Sequence, residues 1–476
     1  MKNNKLIFFI AIILTMVSCS DDFLDRVPQT SMSNELALES YKNIQLSLNG
    51  AYSTLYSANY YGRAFIVIPE IRGSMSKSSV QLSSGRFQGN FNWAETPATT
   101  FPLWNTGYYI ISAVNNVLEA LEGFDEVGVT DDMINQIRGE ALFLRALVHW
   151  DLVRVFGQPY TYAVNQTGAA ALGVPYIFRT EVGEPERNTV AEVYTNAIED
   201  LKAAELIIGD PNRGNVQTAF ASKETVQALL AKIYLYMGDW QNAADYATDV
   251  INSGKYSLLN ADNYVGSFSR EGASSESIFL VYGASDGSYW PSFDEIGYIL
   301  SPEGYGDVAA SNALLDLFEE DDVRSELFLT TAALSSEMWS AKYTGKPAPI
   351  NINNINVLRL SEMYLIRAEA QFNGASVSGT NALTDFNSIR TNRGLEPADN
   401  VNLSEILDER RRELNFEGNG FWDDSRRGVS VVRDARDVHG TAPAEITFPD
   451  NRFAFPIPTG EIDANPNMVQ NPGYQQ

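Results

Sequence analysis

Residues 222–253 read SKETVQALLAKIYLYMGDWQNAADYATDVINS, and the rest of the chain is best understood outward from this stretch. Small and apolar side chains recur at three- to four-residue spacing on both sides of Gly238-Asp239, which places them on one face of each of two helices. Leu230, Ala231 and Tyr234 belong to the first half, and Trp240, Ala243, Ala247 and Val250 to the second. The glycine–aspartate step interrupts the periodicity and turns the chain. Small residues mark where the two helices cross, and an aromatic fills the space between them. A pair of this kind cannot bury its apolar face alone and needs stacked neighbours.

Such neighbours are legible on both sides. Residues 357–392 predict a second pair, with Ala368 in its first helix, Ala382, Phe386 and Ile389 in its second, and a longer turn at 374–379. Upstream, 131–156 carries Ile137, Ala141, Leu144, Val148, Leu152 and Val155 on one face before Gly157 and Pro159 stop it. Thr189 followed by Glu192 reads as a capping box. It opens a helix with Val193, Ala197, Leu201 and Ala204 on one face, which makes 131–208 a third, less regular pair. Further amphipathic segments cover 34–56 and 103–121. The spacing is of tetratricopeptide type, so the expected fold is mostly α: a scaffold of helix pairs with long irregular loops and a few short strands. Stacked pairs of this kind serve either as docking surfaces or as scaffolds backing something else. Two regions break the pattern, 59–102 and 257–306. Both are rich in Gly, Ser, Asn and aromatics, with short strand-like runs at 65–68 and 277–282. The stretch 440–476 is Pro- and Asn-rich and irregular. Loops on a rigid scaffold carry most binding residues, so 59–102 and 257–306 are the expected ligand loops.

The amino terminus sets the compartment. Lys2 and Lys5 precede an apolar run at 6–17, then Ser18 and Cys19, the only cysteine of the 476 residues. A run of this length is too short to span a bilayer and reads as a signal peptide. Val17-Ser18-Cys19 resembles a lipobox, with Met16 where leucine is usual. This predicts cleavage after residue 18, acylation of Cys19, a lipidated tether over 19–33 and one domain over 34–476. Ser20-Asp21-Asp22 resembles the signal that exports lipoproteins to the cell surface, and reads equally as a plain acidic tether. The formal charge of −26 argues against nucleic acid and anionic membrane faces as partners. With His149 and His439 the only histidines, histidine-rich metal sites and Ser-His-Asp triads find little support. No cofactor is expected.

The chain resembles the SusD/RagB family of nutrient-uptake lipoproteins over essentially its whole mature length. The resemblance rests on CSDDFLD at 19–25, LWNTGYYIISAVNNVLEAL at 103–121, GEALFLRALVHWDLVRVFGQPY at 139–160 and the 222–258 repeat. It continues in VLRLSEMYLIRAEAQFN at 357–373, ILDERRRELNFEGNGFWDDSRRG at 406–428 and FPIPTGEIDANPNMVQNPGY at 455–474, all in the family's order. It implies an α-helical lipoprotein on the outer face of the outer membrane. Such a protein sits as a lid on a SusC-type TonB-dependent transporter, captures an oligosaccharide and hands it over without enzymatic turnover. It also implies that the helix pairs face the transporter while loops elsewhere hold the ligand.

The residues themselves support a binder. Sugar rings present apolar C–H faces rimmed by hydroxyls, so their sites combine aromatic platforms with hydrogen-bonding side chains. Tyr289, Trp290, Tyr298 and Tyr305, beside Asp286 and Asp294, offer one such mixture. Phe91, Asn92 and Trp93, with Gln88 and Asn90, offer another. Arg63, Arg72, Lys77 and Arg86 are the cations that would suit an acidic glycan, against an overall balance favouring a neutral one. A peptide ligand on the same architecture is the alternative. Enzymatic signals are weak: Asp321-Asp322 and Asp423-Asp424 read as caps or solvated acidic pairs, and Gly304-x-Gly306-x-x-Ala309 is half a dinucleotide motif without its context. His149 reads as a core histidine, Arg410-Arg411-Arg412 as salt-bridged helix surface, and no calcium-loop spacing is present.

Overall fold

A computed structural model of the chain describes residues 38–214, 216–284, 293–345 and 352–475. In chain order its main elements are α1 (Tyr41–Thr54), α2 (Ala64–Arg72), β1 (Ser76–Ser78), α3 (Phe101–Ala120), α4 (Asp131–Phe156), α5 (Val190–Ile207), α6 (Lys223–Met237) and α7 (Trp240–Asn252). They continue with β2 (Ser277–Val281), β3 (Val308–Ala310), β4 (Ile355–Arg359), α8 (Leu360–Phe372), α9 (Ala382–Asn392), α10 (Leu403–Leu414) and α11 (Gly420–Arg426). The fold is mostly α with a few short strands, as the periodicity predicts.

Local chemistry sets the helix ends. Thr130 caps α4 by accepting the Met133 N–H, Asp131 and Asp132 lie in the positive first turn, and Gly157 ends the helix. The capping box at Thr189 forms in full, with Glu192 returning a bond to the Thr189 N–H. Between α6 and α7, Gly238 sits at φ 73°, a left-handed conformation that a Cβ would disfavour. Asp239 then caps α7 through the Asn242 N–H.

Packing departs from the single-face expectation in α4. From Phe143 to Phe156 every residue is buried, because α1, α3 and α5 all pack on this helix. Its polar residues are therefore internal and paired. Arg145 forks onto Asp200 of α5 with both N···O distances at 2.7 Å. Asp151 accepts the Tyr60 and Tyr61 hydroxyls at 2.8 and 2.9 Å. His149 is the core histidine expected, with Nδ1 against the Arg145 carbonyl and Nε2 accepting from the Ile177 N–H.

Two local expectations are corrected. Residues 65–68 are not a strand but part of α2, which is buried on nearly all sides, so no polar face betrays its helical period. Residues 357–359 are not the start of a helix: they close β4, which pairs antiparallel with β2, so α8 begins at Leu360. A tertiary partner decides both.

Candidate ligand-binding surface

The first irregular region meets the chain just after the second across a short antiparallel ladder. β1 pairs with β3 in the register Ser76 to Ala310 and Ser78 to Val308. Side chains then fasten the loop that follows β1. Buried Asp307 accepts the Ser84 hydroxyl at 2.6 Å, and Glu337 accepts the Ser79 hydroxyl at 2.6 Å and the Val80 N–H at 3.1 Å. The Trp339 indole donates to the Gly306 carbonyl at 2.8 Å. Gly306 stands at φ 57°, and a Cβ there would lie 2.7 Å from Leu82. The Gly304–Gly306 spacing therefore serves a tight turn into β3.

An aromatic and charged surface is built on this base. The short helix Ile296–Leu300 buries Ile296, Ile299 and Leu300 and leaves Tyr298 half-buried. Phe293, 66% exposed, meets Tyr298 edge-on at 5.2 Å, and Tyr305 lies 6.1 Å from Tyr298. The Arg86 guanidinium lies 4.2 Å above the Tyr305 ring, within cation–π range. Asp294 bridges the two regions, with Oδ1 3.0 Å from Arg86 Nε and Oδ2 3.1 Å from Arg63. One exposed ring, Phe293, and two half-buried ones, Tyr298 and Tyr305, lie beside a fixed fork of donors, a mixture that suits the C–H faces and hydroxyls of a sugar ring. Tyr298 and Tyr305 are thus brought together with Arg86, while Tyr289, Trp290 and Asp286 lie outside the described residues, as does Cys19. Arg63 and Arg86 are two of the four cations read from the sequence, whereas Phe293 is not a sequence candidate and carries no signal beyond its neighbourhood.

The second aromatic group is a correction. Trp93 is only 3% exposed. It stacks under Arg72 at 3.9 Å and meets Phe421 and Phe453 edge-on at 5.3 and 5.4 Å, with its indole donating to the Arg72 carbonyl. Arg72 is fully buried against Glu95 and the Arg452 carbonyl, and Phe91 is buried beneath Arg433. Asn90 is half-buried and bonds Glu95 at 3.0 Å. Trp93 and Arg72 therefore offer no platform, because rings and guanidinium are already enclosed by residues more than 300 positions downstream. Lys77 is likewise buried against Asp437 at 3.1 Å.

The charge clusters also resolve as structure. Arg410 and Arg412 are buried, not surface: Arg410 pairs with Glu362 and Asp423, and Arg412 with Glu409. Burial pushes the Asp423 carboxyl up, but Arg410 and Arg426 reverse this and hold it well below the usual carboxylate range. Asp424 is buried and faces Arg411, and Asp322 is buried against Arg324. Asp322 is the cap expected, accepting the Arg324 N–H, and Asp321 is exposed, whereas Asp423 and Asp424 are not solvated, because Arg410 and Arg411 reach them from α10.

Comparison with known proteins agrees with this architecture. A family model described as starch-binding, associating with outer membrane, matches residues 22–235, and the SusD family model matches 329–474. A solved SusD superfamily protein from Bacteroides vulgatus is 31% identical, with a TM-score of 0.82 over 92% of this chain and 100% of that one. The chain belongs to the SusD family. Another SusD superfamily structure, from Bacteroides thetaiotaomicron, is 29% identical with a TM-score of 0.82 over 91% of this chain and all of that one. Among curated SusD relatives, SusD-like protein P2 of Formosa agariphila is 26% identical over the full length of both chains. The starch-binding protein SusD of Bacteroides thetaiotaomicron is 32% identical over 30% of this chain and 27% of its own.

Proposed function

We propose that this SusD-family chain is a cell-surface glycan-binding lipoprotein. It is anchored in the outer membrane through acylated Cys19, captures oligosaccharides and delivers them, uncleaved, to a SusC-type TonB-dependent transporter. The observation that carries the reading is the surface of Phe293, Tyr298, Tyr305 and Arg86, where both irregular regions converge on a rigid base. Tyr289 and Trp290, a few residues upstream of Phe293, are proposed as further ligand contacts on their place in the sequence alone. The family's starch-binding relatives and the acylation motif support the same assignment.

A glycan array with the purified chain tests it. Binding to a defined linkage class is expected, and Tyr305→Ala should weaken it by about 1–3 kcal/mol, a hot-spot-sized loss, with an unchanged melting curve. A blank array from folded protein, or binding to peptides alone, overturns the reading. Intact affinity in Tyr305→Ala moves the site away from this surface.

A further inference from the structure

We infer that the ligand of this surface is an uncharged oligosaccharide, and that Arg86 acts there as an oriented hydrogen-bond donor to hydroxyls and not as a counter-ion; the inference rests on the glycan reading above. Four cations of the first irregular region were available to attract an acidic glycan. Two are sealed in the interior, Arg72 against Glu95 and Lys77 against Asp437. Arg63 has 15% of its side chain exposed and is paired with Asp294. Arg86 alone reaches solvent substantially, and its Nε is also paired with Asp294.

The facing chain is acidic. Residues 293–307 read FDEIGYILSPEGYGD, with four carboxylates and no lysine or arginine. Even with Arg63 and Arg86 counted, this neighbourhood is net negative, on a chain of formal charge −26. A uronate or sulfate approaching it meets repulsion at the contact and at long range. A hydroxyl-rich neutral ring meets no such cost. The Tyr305 ring and Asp294 fix the plane of the Arg86 guanidinium, and its terminal nitrogens make no hydrogen bond to described residues. Two parallel N–H groups in a preset plane suit adjacent sugar hydroxyls, and their ordering cost is met before binding.

The test sets neutral oligosaccharides against uronate-bearing and sulfated ones, using the full chain in detergent and titration calorimetry. Binding is expected in the neutral panel only, changing less than about twofold between ~20 and ~500 mM sodium chloride. Arg86→Gln and Arg86→Lys should each bind about tenfold more weakly, with unchanged circular dichroism. Binding of acidic glycans, alone or equally well, overturns the inference and leaves the glycan reading standing. So does a steep salt dependence, or wild-type affinity in both Arg86 variants. Silence in both panels removes the glycan reading and the inference with it.

Discussion

His149 makes the stability of the scaffold fall in mild acid. Its imidazole is fully buried on α4. Nδ1–H donates to the Arg145 carbonyl at 2.8 Å, Nε2 accepts from the Ile177 N–H at 3.0 Å, and the ring stacks on Tyr176 with centroids 3.8 Å apart. Both nitrogens are satisfied in the neutral form, and a second proton would have no acceptor. Burial pushes the pKa down; the bond to the Arg145 carbonyl opposes this, the Arg145 charge adds to it, and the result is about 3. In the unfolded chain the value returns to ~6.5. Below that pH the unfolded chain takes up a proton that the folded chain refuses until about pH 3, so stability falls as pH drops through this window. At 1.36 kcal/mol per unit, the loss reaches about 3 kcal/mol at pH 4.5 and about 5 kcal/mol across the window. His149→Gln removes the titration and leaves a pH-independent packing cost of about 1–2 kcal/mol. Urea denaturation of both proteins at pH 7 and 4.5 reads the difference directly. Wild type should lose about 3 kcal/mol more than the variant; equal losses in the two would refute the buried neutral imidazole.

Trp93→Ala should cost about 3–5 kcal/mol, as for a large core side chain, while the folded fraction keeps its glycan affinity; thermal melting and calorimetry separate these, and lost affinity in a normally stable variant would return Trp93 to the site. Cys19→Ala should shift the protein from the membrane fraction to the soluble fraction and abolish incorporation of labelled fatty acid; retention in the membrane would exclude anchoring through that thiol.

What the sequence made legible was local. The helix Asp131–Phe156 ends where its own signals place it, since Thr130, Asp131 and Gly157 act within one turn. The same holds for the turn at Gly238 and the box at Thr189. What it hid was tertiary. Trp93 and Tyr305 sit in similar Gly-, Ser- and Asn-rich surroundings, and nothing near either distinguishes a core ring from a surface ring. The difference is made by Phe421 and Phe453, which close over Trp93 from the far end of the chain, while Tyr305, half-buried against the core, keeps one side for Arg86 and Tyr298. The triple arginine at 410–412 misled for the same reason: alternating charges on a helix look solvated until the partners arrive from elsewhere.

Those partners explain how long irregular loops can stand on the scaffold without disturbing it. Glu276, just before β2, is held by Arg359 at 3.2 Å and Arg393 at 2.8 Å. Arg324 reaches Asp322 and Glu409 at 2.7 Å and Glu413 at 3.0 Å. Lys342 donates to the Glu413 and Asn415 carbonyls and to Glu417 at 2.6 Å. The chain between Glu276 and Lys342 thus enters and leaves through buried charges anchored to β4, α10 and the segment after it. Such an array adds little net stability over apolar packing, yet loss of one partner costs about 3–5 kcal/mol because the other is stranded without water. Mispairing carries the same penalty, so the array fixes register more than it adds stability. The proposed binding surface at 293–305 lies between these pins and outside the array. Substitutions there leave the frame in place, which is the physical condition for one scaffold to carry many different loop surfaces.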